Sequence, residues 1–131
     1  MLWNEIVLNL HCDDTLLKAI FAKEFALKIE DILVTSDPLS LSEGNKLHII
    51  REPVTGEFNT ILRIYSKIEI KDDLEHLKAI SKQLNTLILT DADPMNYYRV
   101  NVIEPNGYSH IESLDSEHFD LNEYVISKYN S

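Results

Sequence analysis

The chain has 131 residues, of which 44% are apolar and only three are glycine, a composition that excludes intrinsic disorder and suits one folded domain able to bury a core. Lys and Arg number 12 against 22 Asp and Glu, a formal charge of −10, which argues against a phosphate-backbone partner and favours a cationic ligand or a basic protein, although acidity also serves solubility alone. Cys12 is the single cysteine, so an internal disulfide and a cysteine-rich zinc site are both excluded.

The N-terminus runs from Met1-Leu2-Trp3 straight into an amphipathic strand, without the basic start and apolar stretch of a secretion signal, and no run reaches transmembrane length. A cytoplasmic protein that touches neither membrane nor nucleic acid is expected. Alternation over Glu5 to Leu10 predicts a first strand with Ile6, Leu8 and Leu10 on one face and Glu5, Val7 and Asn9 on the other. Asp13 or Asp14 caps a helix whose apolar stripe is Leu17, Ile20, Phe21 and Phe25, ending near Lys28 to Glu30. Strands follow at Ile32 to Thr35 and Lys46 to Arg51, with Ser36 to Asn45 read as a long hairpin loop. The turn from Pro53 to Gly56 leads into an extended run from Phe58 to Ile70.

Asp72 or Asp73 caps a second helix, with Leu74, Leu77, Ile80 and Leu84 inward and Asn85 at its end, where asparagine tolerates left-handed backbone. Leu87 to Thr90 and Tyr97 to Ile103 are strands. Pro105-Asn106-Gly107 is a turn because Gly supplies positive φ and Pro fixes its own. Tyr108 to Leu114 closes the sheet, and Asp120 to Lys128 reads as a terminal helix with Leu121, Tyr124 and Val125 available for docking.

These elements state one pattern twice. Asp13-Asp14 before Leu17-Lys18-Ala19-Ile20 returns as Asp72-Asp73 before Leu77-Lys78-Ala79-Ile80. Ile32 to Thr35 with Asp37-Pro38 returns as Leu87 to Thr90 with Asp93-Pro94, and Glu52-Pro53 ahead of Gly56 returns as Glu104-Pro105 ahead of Gly107. A repeat of roughly fifty to sixty residues with one helix cannot bury its own apolar face, whereas two can share a sheet system. The expected fold is therefore α+β, with two tandem βαβββ repeats at about 3–64 and 65–115 and a tail at 116–131 in a single domain.

Strand, helix and three strands, stated twice, resembles the vicinal oxygen chelate superfamily of glyoxalases, extradiol dioxygenases and bleomycin-resistance proteins. Ser66 to Leu74 is similar to its strand leading into an Asp-capped helix, and Tyr98 to Gly107 followed by Ile111-Glu112 to its strand, acidic-Pro-Asx-Gly turn and closing strand. The resemblance implies a curved mixed sheet around a cavity, helices on the convex side, and a homodimer. It implies that Glu5, Val7, Asn9 and His11 look into the cavity from the first repeat, and Tyr65, Lys67 and Glu69 from the second.

Metal-dependent members need several preformed ligands on the first and closing strands. Carried over, those positions fall on Glu5, on Tyr65, on Ile111 or a bulged Glu112, and near Thr60 and Ile61, too few donors for a catalytic metal site. No metal and no cofactor are expected. The five histidines show no paired spacing. His76 and His118 read as surface residues, while His48 and His110 lie mid-strand, and a ligand set of Glu5, His110 and Glu112 requires a regular last strand. Cys12 precedes a helix N-terminus, which favours a thiolate, but Asp13 and Asp14 oppose it. Tyr97-Tyr98 and Tyr65 suit an aromatic pocket.

The function expected is non-catalytic binding or sequestration of a small organic molecule, with a cation favoured by the acidity. Candidate ligand-binding residues are Glu5, Tyr65, Lys67, Glu69, Tyr98 and Glu112. Two alternatives are a divalent-metal lyase or dioxygenase using Glu5 and Glu112, and an acidic interaction or immunity protein that recognises a basic partner through surface carboxylates.

Overall fold

A computed structural model describes residues 2–36, 45–92, 95–96, 98–120 and 123–126. Strict alternation decides its central strand, β1 (Leu2–Leu8): Ile6 and Leu8 are fully buried in one apolar cluster, while Val7 between them is buried in another. A strand buried on both faces must lie inside a sheet. On one side β1 pairs antiparallel with β5 (Thr60–Ser66), and on the other with β6 (Ile88–Asp91).

Adding β2 (Ile32–Thr35), β3 (Leu47–Pro53), β7 (Arg99–Ile103) and β8 (Ser109–Ser113) gives an open seven-stranded mixed sheet in the order β2-β3-β5-β1-β6-β7-β8. The fold is α+β. The strand after the first helix lies at the sheet's edge, whereas the strand after the second, β6, sits beside β1. β2 and β3 run parallel, so they are not the arms of the expected hairpin. Residues 37–44 between them lie outside the described residues, as do Asp93-Pro94, Tyr97, Leu121 and the side chain of His118.

Both long helices cover the same face. From α1 (Asp14–Phe25), Leu17, Ile20 and Phe21, and from α2 (Asp73–Leu84), Leu77, Ile80 and Leu84, pack with Ile6, Leu8, Leu62 and Ile64 in the larger cluster. The Asp13 carboxylate accepts from Leu16 N–H at 2.8 Å, a cap worth about 1 kcal/mol. α1 stops at Phe25, short of the expected end near Lys28 to Glu30, because Ala26 turns left-handed at φ 54° and Leu27 N–H bonds back to Ala22 C=O. α2 ends as expected at Asn85, φ 52°. Its start differs from expectation: Asp72 is itself left-handed and its side chain makes no capping bond, and Leu74 is exposed rather than inward.

The extended run expected to continue to Ile70 breaks at Ser66, whose hydroxyl donates to Ile68 C=O and accepts from Ile68 N–H, turning the chain locally. The last segment also differs from the expected helix. α3 (Ser116–Asp120) is followed by β9 (Glu123–Tyr124), which pairs in parallel with β4 (Thr55–Gly56) on the β3–β5 turn. That short ladder brings Phe119 and Tyr124 into the second apolar cluster with Val7, Ile61, Leu89, Val100 and Val102. This cluster occupies the sheet's far face, away from α1 and α2.

Candidate functional site

The far face carries a row of charged residues that runs across its central strands. Cross-strand pairing aligns Ile50, Arg63 and Glu5, and then Asp91, Val100 and Glu112, in one row across the strands. Continuing the Val7–Leu89 pairing by two residues brings Glu5 level with Asp91. Glu5 and Asp91 both line a cavity of about 250 Å³, together with Val7, Leu89, Phe119 and Tyr124. Sheet residues form its floor and the C-terminal segment forms its wall.

Arg63 is the cation in this row. Its Nε lies 3.3 Å from Glu5 and its Nη1 3.0 Å from Glu52. Burial works against the guanidinium, but the hydrogen bonds and charges of Glu52 and Glu5 outweigh it and hold its pKa above the ordinary arginine value. One cation thus serves two carboxylates, and Asp91 makes no ion pair among the described residues. Like charges side by side on adjacent strands are destabilising.

The wall is aromatic. The rings of Phe119 and Tyr124 meet edge to face at 5.5 Å, as do those of Tyr98 and Phe119. Tyr124 is 9% exposed, and its hydroxyl has no hydrogen-bond partner among the described residues. Burial pushes the phenol's pKa up; Glu5 and Asp91 add to the shift and Arg63 opposes it, so the hydroxyl keeps its proton and lies in the field of all three charges.

Of the candidates read from the sequence, Glu5 lines this cavity and Tyr98 backs its wall through Phe119. Tyr65 shares the face, two residues from Arg63 and opposite His48, but does not line the cavity. Lys67 and Glu69 lie past the end of β5, where strand parity no longer applies. Both are exposed, with Glu69 beside Lys71 at 3.8 Å and lining a separate apolar crevice with Leu2, Trp3 and Ile70.

Glu112 ends the row on β8, whose pairing with β7 is regular, so His110 and Glu112 do share a face, 3.2 Å apart. Strands β6 and β7 separate Glu112 from Glu5, roughly 14 Å at ordinary strand spacing, too far for one ion. Among the described residues no group of three or more His, Cys, Asp or Glu side chains is arranged to hold a metal ion. His76 is not a free surface residue: its Nδ1 lies 2.7 Å from Glu24 and its ring lies 4.7 Å from that of Phe25, tilted by 44°, tying α2 to α1.

A larger, more open cleft of about 600 Å³ lies at the start of α1, lined by His11, Cys12, Asp13 and Arg51 among others. Its chemistry is already spent internally, since Arg51 bonds Cys12 C=O at 2.6 Å and Asp14 at 2.7 Å. Burial pushes the Cys12 thiol's pKa up, with Arg51 opposing and Asp13 assisting, so the thiol is no activated nucleophile.

Among the residues that sequence reasoning left out are Asp91 and Phe119, which line the cavity, and Arg63, which adjoins it through Glu5. Arg63 carried a signal: a lone cation between Leu62 and Ile64 in a half-buried strand requires partners. Comparison of the chain with protein-family models, with curated proteins and with solved structures found no match. Among the described residues, no helix is long and apolar enough to cross a membrane.

Proposed function

We propose that this protein binds a small organic cation, without transforming it, in the cavity between the far face of the sheet and the C-terminal segment. The observation that carries the reading is the surplus of negative charge on the cavity floor: Glu5 and Asp91 stand level beneath the Phe119–Tyr124 wall, and Arg63 is divided between Glu5 and Glu52. An organic cation would relieve that surplus, lie against the aromatic rings, and be drawn in by the field of a chain with charge −10. A cavity of about 250 Å³ suits a ligand smaller than a drug molecule.

The vicinal oxygen chelate resemblance supports the same class of function, ligand sequestration against a sheet face. The tandem-repeat arrangement that it implies is a separate proposal. In its favour, α1 and α2 pack on one face and three sheet strands follow each helix; against it, β2 and β6 occupy unlike positions in the strand order. The cavity proposed here is built within one chain and requires no second subunit.

Titration calorimetry at low ionic strength, with size-matched organic cations, neutral molecules and anions, tests the proposal. Heat is expected from the cations alone, weakened by salt and abolished in Asp91→Lys. Binding of anions or neutral molecules in preference to cations, or cation binding indifferent to Asp91→Lys, overturns it. The interaction-protein alternative predicts salt-sensitive association with a basic protein that ignores changes inside the cavity.

A further inference from the structure

Resting on the reading that this cavity holds an organic cation, we infer that the ligand's head is an ammonium bearing N–H donors, a protonated primary or secondary amine, selected by Asp91 and the Tyr124 hydroxyl. The two groups are those lining the cavity that form no hydrogen bond or ion pair with other described residues; Asp91 is exposed, at the cavity's open side. Glu5 is engaged by Arg63 at 3.3 Å, and Arg63 is further engaged by Glu52 at 3.0 Å. The Asp91 carboxylate has no partner among the described residues, and neither has the hydroxyl of Tyr124, a residue only 9% exposed.

Both groups have lone pairs to offer a ligand. Because Tyr124 stays protonated, its hydroxyl can donate toward a carboxylate while accepting from an ammonium N–H. A quaternary ammonium would meet the aromatic faces equally well but would leave both acceptors without a hydrogen, and a site built around hydrogen bonds discriminates against an analogue that lacks the donor. A neutral alcohol supplies one donor and no charge. The floor of Val7, Leu89 and Val100 takes a short alkyl chain, not a second polar group.

The test is an NMR titration of the labelled full chain at low salt with three probes of equal heavy-atom count: n-butylammonium, tetramethylammonium and n-butanol. The expected result is that n-butylammonium shifts the cavity resonances with affinity about tenfold or more above that of tetramethylammonium, the scale of one charged hydrogen bond. That preference should collapse in Tyr124→Phe and Asp91→Asn, both close to isosteric. If tetramethylammonium binds as tightly as n-butylammonium, or if the preference survives both substitutions, the N–H inference fails while the organic-cation reading stands. If neither cation binds more tightly than n-butanol, both fail.

Discussion

Gly56 lies so close to the backbone of Tyr124 that an added Cβ would stand 2.7 Å from the Tyr124 carbonyl oxygen, at a residue whose φ is already +100°. This contact is where the C-terminal segment, and with it the aromatic wall of the cavity, is fastened to the β3–β5 turn. Glu57 N–H donates to Tyr124 C=O at 2.8 Å, and the Glu57 carboxylate accepts from Ile126 N–H at 3.0 Å. Gly56→Ala should therefore destabilise the protein by about 1–3 kcal/mol through strain and clash, and should expose Tyr124 and Phe119. Chemical denaturation gives the first quantity and tyrosine fluorescence the second. An unchanged midpoint and spectrum would show that the wall is held elsewhere.

His48 should make the protein acid-sensitive in a defined direction. It is 4% exposed, its Nε2 bonds the Thr35 hydroxyl at 2.8 Å, and its Nδ1 has no partner among the described residues; burial lowers its pKa below 6.5. Between the folded value and 6.5 the unfolded chain binds more protons than the folded one, and stability there rises with pH. The contribution of this residue is thus complete above about pH 6.5 and lost as pH falls through the folded value. Self-repulsion in an acidic chain works oppositely, since it relaxes as carboxylates protonate. Denaturation midpoints across pH 7 to 5 should fall more steeply in the wild type than in His48→Asn. Parallel profiles would remove His48 from the account.

Arg63→Met should separate stability from binding. Loss of the guanidinium leaves Glu5 and Glu52 facing each other without a counter-ion, at half-exposed positions where a cost of about 1 kcal/mol is expected. The same change makes the cavity floor more negative, so the affinity for an organic cation should rise several-fold while the melting temperature drops. A fall in both would identify Arg63 as part of the ligand's own binding surface.

At Ala26, where the chain leaves α1 with φ 54°, an L-residue sits in a conformation that glycine adopts without strain. Ala26→Gly should stabilise the protein by about 1 kcal/mol, against the usual penalty of introducing glycine. Equilibrium unfolding in urea measures this directly, and a loss of stability would mean that the Ala26 methyl contributes packing that its exposure does not suggest.

Alternation and helical spacing are local properties, and they were enough to determine both long helices, the strand at Ile32–Thr35, the turn closed by Gly107 and which residues of β1 face α1 and α2. They also identified Glu5 as a polar residue on the other face. What they could not determine is which strands become neighbours. Parallel pairing of β2 with β3, the insertion of β6 beside β1, and the return of Tyr124 to Gly56 depend on contacts between residues far apart in the chain. The site is a product of those contacts. Glu5, Asp91 and Tyr124 come from three separate segments, and only lateral strand pairing and one short ladder bring them to a single cavity, with Arg63 beside Glu5. Sequence periodicity reports the face on which a side chain lies; tertiary structure decides what stands next to it, because lateral order in a sheet is set by burial summed over the whole chain.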